Sequence, residues 1–562
     1  MMRKLLYGFL FAAVAASAQV SGPIVTNASV MAVSPTLEDI GRLGQTNLFQ
    51  TDGGYVERNH YRPKVVVPPS GLSAVPLAPA PLVSVAADTP YNQTANFQPL
   101  GVTISTNFEA LGVGTPGYSV TGAPPDTTMG VSPTQIVQWV NSHIAVYDKA
   151  GTPLLAAPGF IAGNVIWSAL PAGSLCRSFN RGDPLVQYDR IAGRWILSQF
   201  AFNGTFAQNA QCFAVSTTSS ALGSYNLYEF SFGGVLPDYG KLGVWPDAYY
   251  MSYNMFTTGS TFSDGRACAY DRTAMLAGGP ATSVCFESPD DFSFLPADFD
   301  GTNLPPAGSP NYYISWNYYN VFAPYTMQLR KFVANFATPA NSSFTDGFGG
   351  GNLSFVGFNM DAATKAACND GATNLTCVPQ LGTTQRLDTL ADRQMYRLVY
   401  RNFGTHEALL FTQSVDTNET SVLQAQLRWW EIRNPGANPP VVFQNSTYKP
   451  DATFRWMSSA AFDRLGNIGI GFSASSSTMN PAIRIAGRRR TDPVNLLRTE
   501  QLVQAGAGSQ GLSLNRWGDY STMQVDPQDD CKLWYTTQYI GANGTFNWRT
   551  KIAGFKFPNC VP

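Results

Sequence analysis

The chain has 562 residues and a formal net charge of −1. Charged residues make up 13% of it, about half of the usual 25%, so there is no electrostatic case for nucleic acid as a partner. Aromatic residues reach the same 13%, and with abundant Gly, Ser, Thr and Asn this composition suits an extracellular all-β protein.

The first eighteen residues read as a secretory signal peptide. A basic start (Arg3, Lys4) precedes an apolar run from Leu5 to Val14, and Ala16-Ser17-Ala18 makes a small-x-small cleavage site. The run is too short to span a bilayer, and no later stretch reads as a transmembrane segment. Residues 19–115 form an extended leader rich in Pro, Ala and Val, with linker-like Pro68-Pro69 and Pro79-Ala80-Pro81, part of which is expected to pack on the later domain. Within it, Phe97 to Ala110 supplies a candidate strand. Its expected partner is Phe546 to Phe557, because pairing strands from the two ends of a chain removes an open sheet edge.

Residues 116–562 carry a recurring unit: an Asp or Arg, a short apolar strand, a turn with Asp or Gly, and a return strand. The clearest copy is Arg516-Trp517-Gly518-Asp519, then Tyr520 to Val525, the turn Asp526 to Asp530, and Lys532 to Tyr539. Other copies open at Asp126, Asp183, Trp245-Pro246-Asp247, Asp392-Arg393 and Arg455, with a weaker one near Asp298 to Asp300. Asp126 and Asp519 lie 393 residues apart over six steps, about 65 per unit. The expected fold is therefore all-β, a seven-bladed β-propeller with an extended N-terminal leader.

Eight cysteines behind a signal peptide point to disulfides. Neighbours in sequence would pair within a unit as Cys176–Cys212, Cys268–Cys285, Cys368–Cys377 and Cys531–Cys560, one arrangement among the many that eight cysteines allow.

The phrases Gly182-Asp183-Pro184, Val244-Trp245-Pro246-Asp247, Asp392-Arg393-Gln394-Met395-Tyr396-Arg397 and Arg516 to Ser521 resemble a group of exported bacterial proteins of the sialidase-like, or BNR-repeat, propeller type. That resemblance implies three arginines on a sialic acid carboxylate, here Arg393, Arg455 and Arg516, together with a Tyr nucleophile paired with a Glu, and an Asp acid. No Arg-Ile-Pro motif and no complete Ser-x-Asp-x-Gly-x-Thr-Trp box accompanies them.

The first residues of each unit should face a central channel. This places Asp126, Asp183, Asp247 and Asp519 as candidate catalytic carboxyls, with Arg393, Arg455 and Arg516 as clamps for an acidic ligand. The bland alternative is that each Asp caps a turn. His406 beside Glu407 is a candidate base, or else a loop residue that satisfies a backbone carbonyl. Tyr249 and Trp517 are candidate stacking surfaces for sugar. Asp526, Asp529 and Asp530 are candidate oxygen ligands for Ca2+, or an ordinary Asp-rich turn. No Cys-x-x-Cys or His-x-x-x-His supports a zinc site. The whole reads as a secreted monomer that binds an extracellular polysaccharide or glycoconjugate, with cleavage as a hydrolase or lyase the expected activity. The alternative is a non-catalytic binding or surface scaffold.

Overall fold

A computed structural model describes residues 20–43, 91–120, 122–289, 291–316, 326–346, 353–354, 376–391, 393–416, 424–437, 440–511 and 514–561. Strands dominate, and no α-helix among the described residues exceeds six residues. Apart from a two-stranded hairpin of Thr376–Gln380 and Thr383–Asp388, the strands fall into consecutive, mainly antiparallel sheets. Sheet one holds Thr127–Val131, Gln135–Val140, His143–Asp148 and Phe160–Ala162. The first strands of sheets two to seven are Leu185–Asp189, Val235–Val244, Phe292–Asp300, Gln394–Asn402, Phe454–Phe462 and Thr522–Val525. Each sheet then runs outward in chain order.

Each first strand lies against the next, and Thr522–Val525 lies against Thr127–Val131. Side chains stitch these neighbours together. The Val186 N–H donates to Thr128 Oγ1 (3.2 Å), and the Met523 N–H donates to Ser459 Oγ (3.0 Å). Between sheets four and five the first strands also hydrogen-bond in parallel, from Ala297 opposite Leu398 to Asp300 opposite Arg401.

The core lies between the faces of successive sheets. Trp456 packs on Trp517, Trp245 on Tyr400 and Phe213 on Tyr270, with ring centroids 4.5 to 5.5 Å apart. Both faces of a sheet are covered, so strands such as Asn209–Ser216 and Leu533–Ile540 are buried at every residue. Trp429 and Trp430 are accordingly both core, as are Tyr249 and Tyr250, where alternation suggests that one of each pair faces out.

The leader runs along the outer edges of the sheets. Ser21–Asn27 adds a strand to sheet three and Val30–Val33 one to sheet two, and Leu37–Arg42 is a helix near the outer part of sheet one. Tyr91–Gln93 then pairs with the outer strand of sheet five, Pro99 bridges to Thr499 in sheet six, and Thr103–Glu109 is the outer strand of sheet seven. This last strand pairs with Trp548–Lys556, so the expected joining of the two ends of the chain is present. Disulfides join Cys176 to Cys212, Cys268 to Cys285 and Cys531 to Cys560. Cys368, the expected partner of Cys377, lies outside the described residues.

Candidate functional site

At the N-terminal ends of the first strands, several sheets contribute to one buried charged cluster. Asp126, Asp183, Asp238, Lys241, Arg393, Arg516 and Asp519 meet there around the rings of Tyr239 and Tyr520, and none is more than 8% exposed. The backbone is bent to bring them in. Asp126, Asp183 and Tyr239 all have positive φ, a conformation that non-glycine residues adopt at a cost and that concentrates at functional sites. In sheet three the pairing register shifts between Asp238 and Lys241, a bulge that turns the Lys241 side chain inward.

The contacts are specific. The Asp519 N–H donates to Asp126 Oδ1 (2.7 Å), and Arg516 is ion-paired with Asp519 at 2.5 Å. Lys241 Nζ sits 3.3 Å from the Tyr239 ring centroid and 4.6 Å from that of Tyr520, and donates to the Gly240 carbonyl (2.9 Å). The Arg393 guanidinium lies over Tyr239 at 4.4 Å and over Phe292 at 5.1 Å.

Asp183 stands apart. Its Oδ2 is buried and has no hydrogen-bond partner among the described residues. Burial, with repulsion from Asp238 and Asp519, pushes its carboxyl up to about 7 against the pull of Lys241 and Arg516. Burial, helped by Arg393, lowers the Lys241 ammonium to about 8 despite the attraction of Asp183 and Asp519. Burial thus favours the neutral form of both groups.

The middle and far end of the space between the first strands are filled. Gln524 Nε2 donates to Gln187 Oε1 (2.7 Å), Gln187 bonds the Tyr396 hydroxyl, and Tyr396 donates to the Leu242 carbonyl (3.2 Å). Beyond them Arg397 pairs with Asp298 (2.5 Å) and Asp300 (2.9 Å). Arg190, from the first turn of sheet two, donates to the carbonyls of Gly301 (3.2 Å) and Val525 (3.1 Å) and lies 3.5 Å from Asp530.

Of the residues expected from sequence, the structure brings together Asp126, Asp183, Asp519, Arg393 and Arg516. Asp392, expected beside Arg393, lies outside the described residues. The others lie elsewhere. Asp247 begins the second strand of sheet three, at the opposite end, and accepts from the Tyr250 hydroxyl (3.0 Å). Tyr249 is fully buried and donates to Asp189 Oδ2 (3.0 Å), so it offers no face to sugar. Trp517 is core, its Nε1 donating to Ser473 Oγ (3.1 Å). Arg455 is wholly buried between sheets five and six and pairs with Glu500 (2.7 Å) and Asp451 (2.9 Å), so the three-arginine clamp is not assembled. His406 occupies the first turn of sheet five at the far end, stacked on Phe403 with its Nδ1 3.0 Å from Thr405 Oγ1. Asp526, Asp529 and Asp530 do not fit a Ca2+ site. Their carboxylates diverge to Lys149 (2.7 Å), Lys556 (3.2 Å) and Arg401, and a cation would compete with each of these. Among the described residues no group of metal-binding side chains converges.

Asp238, Tyr239, Lys241 and Tyr520 were missed. The signal was a charged pair inside Val235–Val244, a stretch in which Pro237, Gly240 and Gly243 oppose a strand locally.

No protein-family model matches the chain, and no curated protein matches it. Among solved structures, an α-L-arabinofuranosidase from Fusarium graminearum in complex with an iminosugar inhibitor aligns over 83% of this chain and 99% of its own, at 7% identity and TM-score 0.35. The polysaccharide lyase Uly1 aligns over 78% and 91%, at 11% identity and TM-score 0.35. The extracellular domains 1–2 of Drosophila Semaphorin 1b align over 82% and 88%, at 6% identity and TM-score 0.34. Similarity this low carries no argument about activity.

Proposed function

We propose that this protein is a secreted seven-bladed β-propeller that acts on an extracellular acidic glycan at the Asp183 cluster. The cyclic order of contacts among the first strands supports the propeller reading. The three disulfides support export to an oxidising compartment.

The observation that carries the functional reading is Asp183. It is a buried carboxyl pushed up to about 7, with one oxygen unbonded, beside a second carboxyl, Asp519, that is ion-paired with Arg516. Two carboxyls in unlike environments are what glycosidic bond cleavage uses, the protonated one as acid. Arg393, Arg516 and Lys241 supply positive charge for a sugar carboxylate. The same groups suit an elimination, in which cations stabilise the carboxylate while a neutral base removes the adjacent proton.

A panel of neutral and acidic polysaccharides tests this, with new reducing ends and new unsaturated uronate measured separately. Cleavage of an acidic member that is lost in Asp183→Asn, with the fold kept by circular dichroism, is the expected result. The burial of the whole cluster favours a second reading, a non-catalytic scaffold whose ion network holds the channel. Absence of any product, with the variant altering only stability, would establish that reading instead.

A further inference from the structure

On the face opposite Asp183, turns from sheets five and six gather arginines. Arg488 ends the third strand of sheet six, and Arg489 and Arg490 follow in the turn. Arg433 ends the corresponding strand of sheet five, its guanidinium 3.2 Å from the Phe443 ring centroid. The first turns of the two sheets complete the surface. Gly466, at φ +82°, lies beneath Arg490 and Phe403, where an added Cβ would sit 3.4 and 3.6 Å from them. His406 stacks on Phe403 with centroids 5.0 Å apart.

The nearby acids are already engaged. Asp492 holds Arg498 (2.7 Å) and also accepts from the Arg489 N–H (2.7 Å). Asp463 accepts from Asn467 and from the N–H groups of its own turn. Glu431 pairs with Arg433 (2.6 Å) and takes a bond from Gln444. No carboxylate among the described residues pairs with Arg488, Arg489 or Arg490. Arg488 is 2% exposed and its Nη2 donates to the carbonyls of Asp492 (2.5 Å) and Pro493 (3.4 Å), while its Nε and that of Arg489 are buried without a hydrogen-bond partner. A buried guanidinium N–H without an acceptor is costly unless something supplies one. The field there is positive enough that Arg433 and Arg490 add to burial in lowering the His406 imidazole, against Glu431.

We propose that this surface, formed by turns of sheets five and six, binds an oxyanion group of an acidic polysaccharide through Arg433, Arg488, Arg489 and Arg490. The chemistry is that of a sulfate, phosphate or carboxylate, which accepts several N–H bonds at once. The aromatic pair Phe403 and His406 gives an apolar flank for the carrier of the charge. Since the whole chain is not basic, a localised patch and not a general electrostatic attraction is responsible.

The test measures binding of dextran sulfate, uncharged dextran and inorganic sulfate to the full chain at fixed ionic strength. It compares the natural protein with Arg489→Gln/Arg490→Gln and with Arg42→Gln, a control on an exposed helix far along the chain. Dextran sulfate should bind, dextran should not, and the double variant should lose about tenfold or more in affinity while Arg42→Gln loses none. Competition by inorganic sulfate identifies the charged group itself as the ligand. Equal binding by all three proteins, or no binding of either sulfate probe, would overturn the proposal. A single-stranded polynucleotide binding more tightly than dextran sulfate would overturn the assignment to a polysaccharide. These results do not depend on turnover at Asp183.

Discussion

A carboxyl whose proton is held into the neutral range by burial is a liability for stability, and Asp183 makes the sign explicit. Its folded value, about 7, lies above the roughly 3.9 of an unfolded chain, so the folded state holds the extra proton. The stabilisation from this group is complete below pH 4 and is lost as pH rises toward 7. Asp183→Asn keeps a neutral side chain throughout. The variant should match the natural protein at pH 4 and exceed it at pH 8, by an amount on the order of 4 kcal/mol at most. Chemical denaturation at the two pH values measures this, and equal differences at both would remove the basis for a neutral Asp183. Arg455 makes the opposite case. Its guanidinium is fully buried and shared by Glu500 and Asp451. Arg455→Ala should cost about 3–5 kcal/mol of stability, because it strands a buried carboxylate. Binding of acidic and neutral glycans should change alike. A selective loss for acidic ligands in a stably folded variant would return Arg455 to the site.

At the scale of the element, the turn after Leu185–Asp189 does more than reverse the chain. Asp189 Oδ1 accepts from the Ile191 and Ala192 N–H groups and so shapes the turn. Arg190 projects from this turn to carbonyls of sheets four and seven. It links strands that are far apart in sequence at one end of the first strands. Arg190→Ala should therefore destabilise the fold by about 3–5 kcal/mol, since Asp530 and Asp300 lose part of their compensation. Hydrogen exchange should rise at Thr522–Val525 and Phe292–Asp300, strands that Arg190 ties but that are not its own. Faster exchange confined to sheet two would show that the reach to sheets four and seven contributes nothing.

For the molecule as a whole, the leader covers edges. Strands at sheet edges expose unpaired N–H and C=O groups and recruit other strands. Ser21–Asn27 and Val30–Val33 take up that position on sheets three and two, and Thr103–Glu109 on sheet seven. In an antiparallel ladder, bonded and non-bonded pairs alternate, so prolines at both Val25 and Thr26 must delete an inter-strand bond. The double variant should lose exchange protection along Thr282–Ser288 and should self-associate in a concentration-dependent way by light scattering. A variant that associates no more than the natural protein, with that strand still protected, would show that the edge needs no cover.

Hairpins with local turn chemistry were legible in the sequence. The Asp189, Asp463 and Asp526 turns, with their flanking β-branched and aromatic runs, located the first strands of sheets two, six and seven, because a tight turn is decided by residues within a few positions of one another. The three local disulfides and the pairing of Thr103–Glu109 with the C-terminal strand were likewise foreseeable from spacing and from the need to cover an edge. Sheet three was not. Its first strand carries Pro237, Gly240, Asp238 and Lys241, residues that oppose a strand locally and are tolerated because a bulge and the cluster accommodate them. Reading that unit one strand late put Asp247 at the wrong end of the first strand. Alternation misled for Tyr249 and Trp430 because burial on both faces of a sheet is decided by neighbouring sheets. The partners of Arg455 and Asp183 were also beyond the sequence, since Arg455 reaches Glu500 in the outermost strand of its own sheet and Asp183 faces Lys241 from another. Residue types and hairpins are local properties that a sequence determines by itself. Which charges end up buried together depends on how the sheets stack, and only the tertiary structure decides that.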